Sequence, residues 1–229
     1  MFLSKVILQT RSTAAHRILA DLYRQHQFIL SAFPDQSTAL ANSEAPTSDN
    51  RPSVLYRIET YDGGNRLFFL VQSDEEPDWE RSSGLHPGTV ATSCVKTIEP
   101  LFSPGQSLRF RLRANPTMMH VNGDINVRAD HKRCGLYKEA EQLAWLERHA
   151  GRSGFQIVRD VVRIASLGVQ NGEKPAAKEG GKGHTVKCLT VDFDGVLTVD
   201  DADAFLAAFR KGIGRGKAWG CGMLSLAQA

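Results

Sequence analysis

The chain is 229 residues long, 41% hydrophobic and 23% charged, with a formal net charge of +3. Since domains run to roughly 100 to 150 residues, this length holds one medium domain or two small ones. No apolar run approaches the ~20 residues of a membrane span, and the apolar stretch of "MFLSKVILQTR" is too short for a signal-peptide core, so no membrane partner is expected. The mild charge is unevenly spread: residues 109–163 hold eleven Lys or Arg against six Asp or Glu. That basic middle fits either a local anionic partner or a solvated charged face.

In chain order, Phe2 to Leu8 alternates as a strand. A helical pattern follows from Ser12 or Thr13 to Phe33, with Pro34 as its stop; Asp21 offers a second start, so one helix or two fits. The turn-rich residues 36–51 read as a loop. "SVLYRIETY" and "RLFFLVQS" read as strands joined by the hairpin signal Asp62-Gly63-Gly64-Asn65. The second half opens with "SLRFRLRAN", where Leu108, Phe110 and Leu112 alternate with Arg109, Arg111 and Arg113 as in a half-buried strand. A helix spans roughly Tyr137 to Ala150, closed by Gly151. Strands fit "FQIVRDVVRIASL" and "TVKCLTVDFDGVLTV", joined by a mobile-looking linker of Gly, Lys and Glu over residues 168–184. A last helix, "DADAFLAAFRK", is capped by Asp200 or Asp201 and leads through a glycine-rich turn into the strand "GCGMLSLA". The second half thus runs β, α, β, β, α, β and the first reads as an incomplete copy. This predicts an α+β protein of two tandem ferredoxin-like (RRM-like) domains, residues 1–100 and 101–229.

Two motifs invite nucleotide or phosphate chemistry. Asp192-Phe193-Asp194-Gly195-Val196 has the form of the aspartyl-nucleophile loop of haloacid-dehalogenase phosphatases. Those enzymes carry the loop on the first strand of a doubly wound sheet, whereas here the chain ends too soon after Asp194 for even two βα units. "GIGRGKAWGCG" runs from helix to strand, opposite to phosphate-cradling loops, which place a helix N-terminus at the phosphate. Its glycines serve close approach, either to a neighbouring strand or to an RNA backbone. Cys94, Cys134, Cys188 and Cys221 stand singly, with no CxxC pair and no histidine spaced for zinc. No metal, cofactor or disulfide framework is expected, and free thiols fit a cytoplasmic location.

"GIGRGKAWGCGMLSLA" at Gly212–Ala227, "FRLRANP" at Phe110–Pro116 and "KEAEQLAWL" at Lys138–Leu146 resemble the CRISPR repeat-processing endoribonuclease family of subtype I-E, the CasE family. The likeness runs the whole chain, through "LSKVIL", "DLYRQHQ" and "FDGVLT", in the family's order. It implies two tandem ferredoxin-like domains and metal-independent cleavage of CRISPR repeat RNA just 3′ of a stem-loop. It also implies retention of the product as a subunit of Cascade, among other Cascade subunits. A non-catalytic RNA-hairpin-binding subunit is the alternative.

Tyr23 and His26, three apart on a helix, face one side and reach a single phosphate. His26 also lies near the stripe of Leu22, Ile29 and Phe33, which fits a core or interdomain histidine; the resemblance implies that both residues are catalytic. Some relatives carry a Lys five residues after that His, where this chain has Ser31, leaving the group that stabilises the phosphorane open. Arg128, Lys132, Arg133, Arg159, Arg163 and Lys217 are the candidates for gripping RNA. Arg109, Arg111 and Arg113 fit either RNA or the other domain.

Overall fold

The computed structural model describes residues 1–33, 53–61, 66–120, 132–176 and 183–229, leaving the side chains of Tyr61, His120 and Lys132 aside. The loop read over residues 36–51 and the turn at residues 62–65 lie outside the described residues.

The first sheet is built from β1 (Phe2–Leu8), β2 (Val54–Tyr61), β3 (Arg66–Ser73) and β4 (Val90–Thr97), in the order β2-β3-β1-β4. All three pairings are antiparallel. β1 buries Ser4, Val6 and Leu8, every second residue, as a one-sided strand must. The helical run after it is two helices, α1 (Thr13–Leu19) and α2 (Leu22–Leu30), because Asp21 adopts extended backbone and its carboxylate accepts from Arg24 N. The copy read as incomplete is completed by α3 (Trp79–Leu85) and β4. α3 is too polar, in "WERSSGL", to show a helical stripe; it is held by the Asp78 cap and by Trp79, which packs beside Phe28 and Phe33.

The second sheet contains β5 (Ser107–Ala114), β8 (Phe155–Ile157), β9 (Arg163–Lys174), β10 (His184–Val199) and β11 (Leu224–Gln228). Its order is β11-β5-β10-β8, with β9 also on β10. Between β5 and α4 (Glu139–Arg152) sits a small hairpin, β6 (Thr117–His120) and β7 (Lys132–Gly135); α5 (Ala202–Lys211) precedes the glycine-rich turn. Both halves therefore have the strand order and antiparallel pairing of ferredoxin-like units.

Four details differ from the sequence reading. "FQIVRDVVRIASL" is broken into β8 and β9 by a 3-10 turn at Arg159–Val161. α4 runs past Gly151 to Arg152, and Gly154, at φ 72°, supplies the left-handed residue instead. The final strand starts only at Leu224. Nearly half of the supposed linker is ladder: β9 and β10 pair from Arg163↔Asp194 to Lys174↔His184, so residues 168–174 and 184 belong to a long hairpin. Only residues 177–182 lie outside the described residues there.

Each sheet covers its own core. The first gathers Val6, Phe28, Ile29, Phe69, Val71 and Trp79; the second gathers Phe110, Leu112, Trp145, Phe193, Phe205 and Leu224. The halves are joined by polar contacts. Arg57, 2% exposed, donates to Glu59 Oε1 at 2.6 Å, to Met223 O at 3.3 Å and to Ser225 Oγ at 3.0 Å. Gln72 Nε2 donates to Phe209 O at 2.8 Å, and Tyr56 OH to Ala218 O at 2.9 Å. The glycine-rich turn is shaped by the same junction: a Cβ on Gly212, at φ 75°, would stand 2.8 Å from Leu55 Cδ2.

Candidate active site at the junction

Asp21 performs two tasks at the start of α2. One carboxylate oxygen caps the helix by accepting from Arg24 N at 2.9 Å; the other accepts from Glu173 N of β9 at 2.8 Å. The tip of the β9–β10 hairpin is thereby tied to the helix carrying Tyr23 and His26. The approach is close because residue 172 is glycine: a Cβ there would lie 2.8 Å from Tyr23 N and 2.9 Å from Leu22 Cβ. Leu22 packs on Cys188 and Cys221 of the second unit, with Trp219 against them. The ring of Trp219, in a 3-10 turn spanning Lys217–Trp219, meets His26 edge-on at 5.5 Å. His26 is therefore an interdomain histidine, half-buried with Tyr23 on the exposed side of the α2 stripe, while Phe28, Ile29 and Leu30 enter the first unit.

Burial, reinforced by the positive charge of Lys174, pushes the His26 pKa down from 6.5 to about 4. At neutral pH the free protein thus presents an uncharged imidazole able to accept a proton. The cation comes from β9, in the stretch read as a mobile linker.

The predicted RNA-gripping residues fall into separate places. Lys217 lies in the same 3-10 turn as Trp219, half-buried, its pKa lowered by burial and by Lys211. Arg133, exposed on β7, lines a polar cleft with Asn115, Tyr137, Asn171 and Lys187. Lys132 lies beside it on β7, its side chain outside the described atoms, and Arg128 lies outside the described residues. Arg159 and Arg163 are not brought to α2: Arg159 lies in the 3-10 turn before β9, and Arg163 opens that strand at its far end, eleven positions from Lys174. At about 3.3 Å per residue that is more than 30 Å along the strand. Arg159 pairs with Glu147, and Arg163 lines a second cleft with Arg57, Arg109 and Arg111.

The phosphatase-like aspartates are accounted for at this junction. Asp192 takes a two-pronged bond from Arg113, at 2.7 and 2.8 Å, and Asp194 accepts from Arg111 at 2.6 Å. Arg113 also donates to Ile58 O at 3.0 Å, and Arg111 reaches Glu59 at 3.3 Å. These two arginines of β5 hold the first unit. Among the described residues no group of three or more His, Cys, Asp or Glu is placed to hold a metal ion, and all four cysteines are free.

The family model for "CRISPR associated protein" matches residues 1–228. This chain belongs to that family, among the CasE/Cse3 proteins. Of its family relatives, the CRISPR-associated endoribonuclease Cse3 of Thermus thermophilus is 35% identical over 232 residues, covering 99% of this chain and all of the relative. The CRISPR system Cascade subunit CasE of Escherichia coli is 34% identical over 233 residues, covering 99% of each. Thermus thermophilus Cse3, solved with an RNA representing a pre-cleavage complex, superposes with a TM-score of 0.75 at 34% identity, over 99% of this chain and 98% of that one. The two-unit fold is thus a CasE/Cse3 fold along its whole length.

Sequence reasoning singled out Tyr23, His26 and Lys217 but missed Gly172, Lys174 and Trp219. No short-range signal marks them, since each reaches α2 only through pairing or packing across the junction.

Proposed function

We propose that this protein is a metal-independent, site-specific endoribonuclease that cuts CRISPR repeat RNA 3′ of a stem-loop and then stays on the product as a Cascade subunit. Its partners are the repeat stem-loop, as precursor and as mature guide RNA, and the other Cascade subunits; its location is the cytoplasm. The carrying observation is His26 beside Tyr23 at the junction, its imidazole kept uncharged by burial and by Lys174, within a chain related end to end to an endoribonuclease and to a Cascade subunit. In this reading residues 1–100 supply the catalytic helix and residues 101–229 most of the RNA grip. Arg133, Lys132, Arg128 and Lys217 contact the stem, and Arg159 and Arg163 touch RNA farther from His26.

The chemistry follows from the groups present. The RNA's own 2′-hydroxyl is the nucleophile. His26 takes its proton as the 2′-oxygen bonds to phosphorus, with Tyr23 orienting that hydroxyl. The bond from phosphorus to the 5′-oxygen breaks, and that oxygen takes a proton from solvent water and leaves as a 5′-hydroxyl, opposite a 2′,3′-cyclic phosphate. An approaching phosphodiester offsets the charge of Lys174 and raises the His26 pKa, so the imidazole accepts the proton more readily in the complex than in the free protein.

The test is single-turnover cleavage of the repeat hairpin in excess EDTA. Wild type cuts the all-ribose RNA and leaves a substrate with a 2′-deoxy residue at the cut site intact. His26→Ala lowers the rate by roughly 10² to 10⁴ while binding stays nearly unchanged. Tight binding without cleavage by wild type would make the protein a hairpin-holding subunit.

A further inference from the structure

The end of α2 that carries a Lys in some relatives is closed off here. Ser31, 7% exposed, donates to Phe28 O at 2.7 Å and shares a hydrogen bond of 2.9 Å with Ser82 Oγ. It therefore faces the interior of the first unit, and nothing at this position can meet a phosphate beside His26.

The hairpin supplies a substitute from the opposite direction. Gly172 turns its missing side chain toward Leu22 and Tyr23, and Glu173 N is fastened to Asp21 Oδ2. Side chains alternate along a strand, so Lys174, two residues beyond Gly172, projects from the face turned to α2. The ladder agrees: Gln170 pairs with Cys188, which faces Leu22, and Lys174, four positions on, pairs with His184 on the same face. Lys174 is exposed, and among the described residues no carboxylate is paired with it.

We propose that Lys174 is the phosphate-stabilising catalytic residue of this site, its ammonium contacting the non-bridging oxygens of the scissile phosphodiester. This rests on the endoribonuclease reading. Attack by the 2′-oxygen adds negative charge to those oxygens before the bond to the 5′-oxygen breaks, and a cation placed there stabilises the phosphorane more than the starting ester. Lys174 keeps its protons throughout; the 2′-hydroxyl proton goes to His26. A compact ammonium with three rotatable donors suits an oxygen cluster whose geometry changes during the step. The electrostatics agree with this placement, since Lys174 is, after burial, the next cause of the lowered His26 pKa.

The experiment compares wild type, Lys174→Ala and Lys174→Arg in single-turnover cleavage of the repeat hairpin, and in binding of the same hairpin with a 2′-deoxy residue at the cut site. The alanine variant is expected to lose roughly 10²-fold or more in rate, with affinity for the deoxy hairpin within about threefold of wild type, and arginine to restore most of the rate. Wild-type cleavage with an undiminished rate in Lys174→Ala would overturn this assignment alone. A rate loss at saturating protein that merely tracks lost affinity would make Lys174 an RNA-gripping residue and overturn it too. Absence of cleavage by wild type would overturn the endoribonuclease reading and this assignment together.

Discussion

His26 shows how a side chain's surroundings redirect its chemistry. Its pKa of about 4 lies below the 6.5 it has when solvated, so between those values the unfolded chain takes up a proton that the folded one refuses. Folding stability contributed by this residue is present above pH 6.5 and is lost as pH falls toward 4. Replacing His26 with Asn removes that dependence: the fall in Tm between pH 7 and pH 4.5 should shrink by about 3 to 6 °C, and an unchanged difference would contradict the buried, uncharged imidazole. The shared helix side of Tyr23 and His26 was legible in the sequence because a spacing of three is a local property, whereas their catalytic assignment came from the family resemblance. Lys174 was not, because a lysine in a Gly- and Lys-rich stretch looks solvated until its strand partner is known.

At the level of elements, strands with strict alternation and helices with caps were readable: β1, β5, the Asp21 start of α2 and the Asp201 start of α5 fall where the pattern puts them. α3 and the tip of β9 were not, since one lacks an apolar stripe and the other acquires its structure from register with β10. The hairpin tip gives a direct test. Gly172→Val would force a branched side chain against Tyr23 N and Leu22 Cβ, both on a fixed helix, and the tip must lift away. We expect single-turnover cleavage to fall by roughly tenfold to a hundredfold, as a misplaced catalytic group requires. Faster hydrogen exchange at the Glu173 amide should accompany it. Wild-type kinetics and protection together would show that the contact between β9 and α2 is dispensable.

Across the whole molecule, the tandem organisation was visible as a recurring order of elements, but the way the two units meet was not. Arg111 and Arg113 of β5 spend their charge on Asp192, Asp194, Glu59 and the Ile58 carbonyl, a use that pairing and packing determine and spacing along the chain does not. Arg57→Met should reveal the strength of this joint. It strips donors from Met223 O and Ser225 Oγ and leaves Glu59 to Arg111 alone, at a cost of about 3 kcal/mol, which corresponds to a drop in Tm of roughly 6 to 12 °C. Calorimetry would check it, and an unaltered Tm would mean that the polar joint contributes nothing net. The bond from Asp21 to Glu173 carries a consequence of its own. On the proposed assignment neither copy of the repeated fold holds a complete set of reactive groups: one brings the imidazole and the phenol, the other the ammonium and the indole. In the proposed mechanism cutting is thus a property of the seam between two similar halves, and a cell that made either half alone would have no scissors.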